Sequence, residues 1–353
     1  MWPSISYGRY VNEIKLKSDE LNTQNNLYNE DAQAVLLLST FFSKPKKGEA
    51  RPLTAIEYGR FARWLHEFNY TPSSLFHQFD EVLSKWKDPK GKITADRLSE
   101  ILGRKAAMGL ALEKWQRAGV WVITRQDSEY PQLLKKQLRH ISPPVFFGVG
   151  NKGLLQQGGL AIIGSRGIDE IDEEFTKNIA IQAAKENINI VSGAAQGVDE
   201  TAMLASLNAG GTAIGIMADS LLKAATASKW RNYLQSEKLV LISSFYPEAG
   251  FSVGNAMARN KYIYTTASSA LVVRADEGKG GTWAGAKENN ENNWVPLFVN
   301  RRSNASGNIA LLAHGAHSLE LQKTSEAWLA EVLSKVPAPK SNNSPSNSLN
   351  LFE

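Results

Sequence analysis

Six short apolar stretches, "LAIIG", "INIVSG", "TAIGIMA", "LVLISS", "ALVVRA" and "WVPLFVN", lie between residues 160 and 300, each separated from the next by a segment long enough for a helix. Runs this short and this apolar are the pattern of strands covered on both faces. Helical crossovers between them argue for a largely parallel sheet with helices on both sides. One crossover, "IDEEFTKNIAIQAAKEN", places Ile171, Phe175, Ile179 and Ala183 four apart, the repeat of one helical face. The expected class is therefore α/β, a mostly parallel sheet with a helical region ahead of it.

That region, residues 31–128, reads as mainly helical. "DAQAVLLLSTFF" opens with Asp31 as a candidate cap. "TAIEYGRFARWLHEF" has Thr54 as a candidate cap and Ile56, Phe61, Leu65 and Phe68 near helical spacing. "TADRLSEILGRKAAMGLALEKWQRAG" carries Leu98, Ile101 and Leu102 on one face and ends in Ala-Gly, a helix-closing pair. Residues 1–30 are polar and weakly patterned, as in a loosely ordered arm. The sheet domain is expected over 129–335. Residues 336–353 are rich in Pro, Ser and Asn and read as a disordered tail, with Leu349, Leu351 and Phe352 as a small docking point.

Composition excludes several classes. The chain has no cysteine, which rules out a disulfide framework and thiolate metal sites and fits a reducing cytosol. Apolar runs fall short of the roughly 20 residues of a membrane span, and the N-terminus lacks a secretory core. A soluble cytoplasmic protein is expected. A net charge of +5 permits a nucleic-acid partner without demanding one.

In a parallel sheet, ligands bind at the carboxyl ends of the strands. The first strand is followed by Gly164-Ser165-Arg166, the second by Ser192, Gly193 and Gly197. The fourth is followed by a stretch ending in Arg259-Asn260-Lys261, the fifth by Gly278, Lys279, Gly280, Gly281 and Thr282. Glycines let backbone N–H groups approach a ligand, Ser and Thr add hydroxyls, helix N-termini favour anions, and Arg166, Arg259, Lys261 and Lys279 bring positive charge. One such loop is an ordinary turn; four at one sheet edge describe a phosphate-binding rim. No catalytic set and no metal set emerges, and no cofactor is expected. His314 and His317 have no thiolate or carboxylate cluster beside them, so solvent-facing roles are favoured over metal ligation. Ser192 has no evident base. Asp199 and Glu200 stand where a helix begins and read as caps. Trp64, Trp86, Trp115 and Trp121 read as core; Trp283 is the candidate for base stacking.

The order of these motifs resembles the DNA-processing protein A (DprA/Smf) family over about residues 95–318. "QDSEYPQLLKKQLRHISPPVFFGVGN" is similar to its entry segment and "AIIGSRG" to its first strand and loop. "IVSGAAQGVDETAMLASLNAGGTAIGI" is similar to its Ser-Gly-x-Ala-x-Gly-Ile-Asp helix and next strand. "ARNKYIYTTASSALVVRADEGKGGTWAGA" resembles its Arg-Asn-Arg helix and Gly-Thr loop, and "NIALLAHGA" its closing motif. The resemblance implies an extended Rossmann-like domain that binds single-stranded DNA and forms homodimers. In transformation members it also implies handing DNA to the recombinase RecA. It assigns phosphate contacts to Ser165, Arg166, Gly193, Asn260, Lys261, Gly281 and Thr282, with Arg259 on the first Arg of Arg-Asn-Arg.

The chain departs from the family pattern in places. Met203 replaces a His, Lys261 an Arg, and Ala256 an aromatic that Phe251 could supply from an enlarged loop. "ADSLLKAATASKWRNY" stands in place of Tyr-Pro-x-x-Asn, and no C-terminal winged helix is read. These departures suit a divergent branch; relatives also occur in phage-defence and toxin–antitoxin cassettes. Two other readings stay open. A nucleotide sensor or phosphoribohydrolase-like enzyme would share the Gly-Ser-Arg loop, yet Gly285 stands where such hydrolases resemble this chain but carry a catalytic Glu. An antitoxin-like regulator would bind a toxin partner.

Overall fold

The computed structural model describes residues 28–321 and 325–337; the arm and tail read at either end lie almost wholly outside them. The chain divides into two compact units, Met1–Glu113 and Lys114–Glu353.

The first unit is helical. Helices span Glu30–Ser39, Ala55–Glu67, Ser74–His77, Phe79–Lys85 and Ala95–Leu102, and a further helix, Lys105–Arg117, runs across the division. Thr54 caps its helix in a reciprocal box with Glu57, as its position predicts. Asp31 does not cap. Asn29 does, and Asp31 sits in the first turn, where its carboxylate accepts the Ser73 N–H at 2.8 Å. The single helix read from Thr94 to Gly119 is broken at Gly103. Leu98, Ile101 and Leu102 face the core as the spacing requires, as do Phe61 and Leu65, whereas Ile56 and Phe68 are about half exposed. Around Phe61 the rings of Trp64 and Trp86 meet edge to face, and Trp86 donates to the Ile93 carbonyl.

The second unit is built on nine strands: β1 (Trp121–Thr124), β2 (Val145–Gly150), β3 (Leu160–Ile163), β4 (Ile190–Ser192), β5 (Ala213–Ile216), β6 (Leu239–Ser243), β7 (Ser269–Val272), β8 (Leu297–Asn300) and β9 (His317–Leu319). Their order is β1-β2-β6-β5-β4-β3-β7-β8-β9, and the seven from β6 to β9 are parallel. β2 runs against β6, and β1 against β2. The six apolar stretches are β3 to β8. β1 lies inside the zone expected to be helical; its Trp121 ring covers Gly148, where a Cβ would approach the ring to 2.2 Å.

From β3 the chain steps one way through β4, β5 and β6, then returns to place β7 on the other side of β3. Right-handed crossovers therefore put helices Glu170–Lys185 and Val198–Asn208 on one face and Val253–Thr266 and Gly280–Asn292 on the other. The direction of winding reverses between β3 and β7, which makes their carboxyl ends the crevice of the sheet.

Candidate phosphate-binding rim

The Gly-Ser-Arg loop leaves β3 pinned from both sides. The Ser165 N–H donates to the Arg274 carbonyl at 3.0 Å, and its carbonyl accepts the Val198 N–H at 3.3 Å. The second contact exists because residue 197 is glycine. Its φ is +97°, and a Cβ there would stand 2.6 Å from the Ser165 carbonyl oxygen. Loops β3 and β4 are thus locked backbone to backbone. Below them Arg274 bonds Asp169 and Asp172 at 2.9 Å each, tying the end of β7 to the helix after β3.

Arg166 projects outward from this clamped loop and is exposed. Its guanidinium lies 5.3 Å from the centre of the Phe251 ring, itself 57% exposed. The enlarged loop before helix Val253–Thr266 does bring Phe251 to the rim, and Val253 beside it is exposed as well.

Across the crevice, helix Gly280–Asn292 begins at Lys279 with no side-chain cap and no acidic residue in its first turn. Its N–H groups and partial positive charge are left to a ligand. Lys279 is exposed, and Gly281 and Thr282 are half-buried in that first turn. The helix after β3 is built oppositely: Asp169 caps it, and Glu170, Asp172 and Glu173 follow. The two helix N-termini at the crevice therefore differ: the one after β3 is acidic, and the one after β7 has no acidic side chain in its first turn.

Arg259, Asn260 and Lys261 lie in the middle of helix Val253–Thr266, not in a loop, and point three ways. Asn260 donates to the Gly281 carbonyl at 2.8 Å, fixing the glycine turn. Lys261 lies 3.4 Å from the Glu288 carboxylate and is half-buried. Arg259 turns inward. It is buried, donates to the Ile216 carbonyl at 3.1 Å and lies 3.7 Å from the carboxylate of Asp199. Gly193 rests on it so closely that a Cβ would meet its Nη1 at 1.4 Å. Ser192 is fully buried and donates to the Ile162 carbonyl. The structure thus places Ser192, Gly193 and Arg259 beneath the rim, and Ser165, Arg166, Lys279, Gly281 and Thr282 along it.

Asp199 is not a cap either: Gly197 takes that position. Burial pushes the Asp199 carboxyl above its ordinary range against the pull of Arg259, and burial lowers Arg259 in turn. Among the described residues Asp199 Oδ1 and Arg259 Nε have no hydrogen-bond partner.

Gly285 is buried against the facing helix. A Cβ would lie 3.1 Å from the Tyr264 ring and 3.3 Å from Asn260 Cβ, so a longer acidic side chain has no room without displacing one of them. Trp283 packs partly against the main core. His314 and His317 are exposed; His314 Nδ1 pairs with the Ala310 carbonyl and His317 lies by the Phe298 ring. Among the described residues no group of three metal-ligating side chains converges, and no helix is long and apolar enough to cross a membrane.

The model of the DNA recombination-mediator protein A family matches residues 121–329. Protein Smf of Synechocystis is 29% identical over 187 residues, 52% of this chain; the chain spans 46% of that protein's length. DNA processing protein DprA of Bacillus subtilis is 26% identical over 220 residues, 56% of this chain and 72% of its own. The crystal structure of DNA processing protein A from Streptococcus pneumoniae aligns over 78% of this chain and 95% of its own, with 18% identity and a TM-score of 0.61.

Proposed function

The chain belongs to the DNA recombination-mediator protein A family, and from that premise we propose that it binds single-stranded DNA by the phosphate backbone along the β3–β7 crevice. One observation carries the reading. An exposed arginine on the clamped loop after β3 and an uncapped helix N-terminus led by Lys279 follow adjacent parallel strands, β3 and β7. The two walls hold anions by different means, one by a forked guanidinium and the other by N–H groups and a lysine. Positive charge on both walls of one sheet edge suits a polyanion. Phe251, stacked on Arg166, adds a ring face for an unpaired base; duplex DNA keeps its base faces covered.

In this reading Ser165, Arg166, Lys279, Gly281 and Thr282 touch phosphate, while Asn260 and Lys261 set the glycine turn and its charge. The buried Arg259–Asp199 pair supports the floor under Gly193. The process served is DNA processing and recombination. Homodimerisation, delivery to a recombinase, and a phage-defence role with a toxin partner are proposals that rest on the family resemblance.

A gel-shift series with single-stranded DNA, duplex DNA and RNA tests this. Single-stranded DNA is expected to bind best. Arg166→Ala should weaken that binding roughly tenfold or more for every sequence, the worth of one charge-assisted hydrogen bond. Unchanged binding by the variant rejects the site, and no binding by the parent protein rejects the function.

A further inference from the structure

At the amino end of the sheet, away from the rim, lies an open pocket of about 390 Å³. Val149, Ala225 and Leu234 line it with apolar surface, and Arg231 and Gln235 are exposed beside them. Gly150, with φ at +94°, closes one wall; a Cβ there would stand 2.9 Å from the Leu234 side chain. The pocket exists because "ADSLLKAATASKWRNY" folds into helices Leu221–Thr226 and Ser228–Gln235. Among the described residues Arg231 has no acidic partner. An apolar pocket beside an unpaired cation suits a peptide with large apolar side chains followed by an acid.

The chain carries such a peptide. "SLNLFE", residues 348–353, brings Leu349, Leu351, Phe352 and Glu353 together. The last described helix, Trp328–Ser334, starts where the Leu329 and Ala330 N–H groups donate to Glu186, just past helix Glu170–Lys185 and before β4. That is the amino end of the sheet. It is also the pocket's face, because helices Glu170–Lys185, Val198–Asn208 and Ser228–Gln235 all belong to crossovers wound in one direction. The last two of these are joined by Lys229–Glu200 at 2.9 Å and Tyr233–Asn208 at 2.5 Å. Three helix spacings separate the end of the described chain from the pocket, about 30 Å. The residues from Pro337 to Leu349 reach about 40 Å when extended.

We propose that residues 349–353 dock in this pocket of the same molecule, with the leucine and phenylalanine side chains against Val149, Ala225 and Leu234 and Glu353 facing Arg231. The proposal is independent of DNA binding.

The absence of cysteine makes disulfide trapping a clean test. Thr226→Cys at the pocket and Lys185→Cys nearer the point of exit are each combined with Asn350→Cys in the full chain and oxidised. Docking predicts an intramolecular bond at residue 226 at least tenfold faster than at 185, and Leu351→Asp/Phe352→Asp should abolish that preference. A tethered but undocked tail would favour the nearer Lys185→Cys, and that result overturns the proposal. So does a preference that survives the double aspartate change, or cross-linking mainly between two molecules, which would make a second copy the occupant.

Discussion

Arg166 and Arg259 carry the same charge and stand on neighbouring pieces of one sheet edge, yet the fold uses them in opposite ways. Arg166 is exposed on a clamped loop; Arg259 is buried between Asp199, the Ile216 carbonyl and Gly193. Arg166→Ala should leave the melting temperature close to that of the parent, because it removes no buried contact. Arg259→Leu should cost about 3–5 kcal/mol by stranding Asp199. The pH dependence has a defined sign. Burial raises the Asp199 pKa, and a raised carboxyl contributes stability in its protonated form, lost as pH rises through the folded value. Without Arg259 that value rises further, so the deficit of Arg259→Leu should shrink toward acid pH and grow toward neutrality. Thermal melts of both variants across that range check the assignment; equal deficits for the two arginines would contradict it.

At the scale of elements, the rim depends on close backbone approach between loops. Gly197→Ala meets two obstacles: a conformation reserved for glycine, costing about 1–3 kcal/mol, and a Cβ driven into the Ser165 carbonyl. The variant should lose stability by at least that amount in denaturant unfolding and should weaken DNA binding as well, since Arg166 moves with its loop. Normal binding by a destabilised Gly197→Ala would detach the loop clamp from the site. Much of this level is legible in the sequence, for a physical reason. β3 to β8 are apolar on both faces and need no context to be seen. β1 lies inside a stretch read as helical, and β9 has two of its three residues exposed, so neither stands out. The inward turn of Arg259 was legible in principle. It shares a helical face with the buried Tyr262, Ile263 and Thr266, while Asp199 shares one with Ala202, Met203 and Ser206. Two opposite charges, each on a core-facing stripe, announce a buried pair. The sequence offers Phe251 only as a substitute aromatic; its contact with Arg166 joins loops 85 residues apart whose paths only the fold defines.

For the whole molecule, the winding reversal between β3 and β7 sets where the crevice lies, and the capping pattern sets the charge on its two sides. The β3 side carries the exposed arginine above an acid-capped helix, and the β7 side an open N-terminus with Lys279. On the proposed reading a polyanion lies across both and is held chiefly by charge. The most direct measurement is the affinity of the full chain for a single-stranded oligonucleotide as a function of salt, for the parent and Arg166→Ala. The logarithm of the association constant should fall linearly with the logarithm of salt concentration, by about 0.7 per phosphate contacted, and Arg166→Ala should flatten the slope by about that one unit of contact. A salt-independent affinity, or an identical slope for the variant, would contradict the phosphate-binding rim.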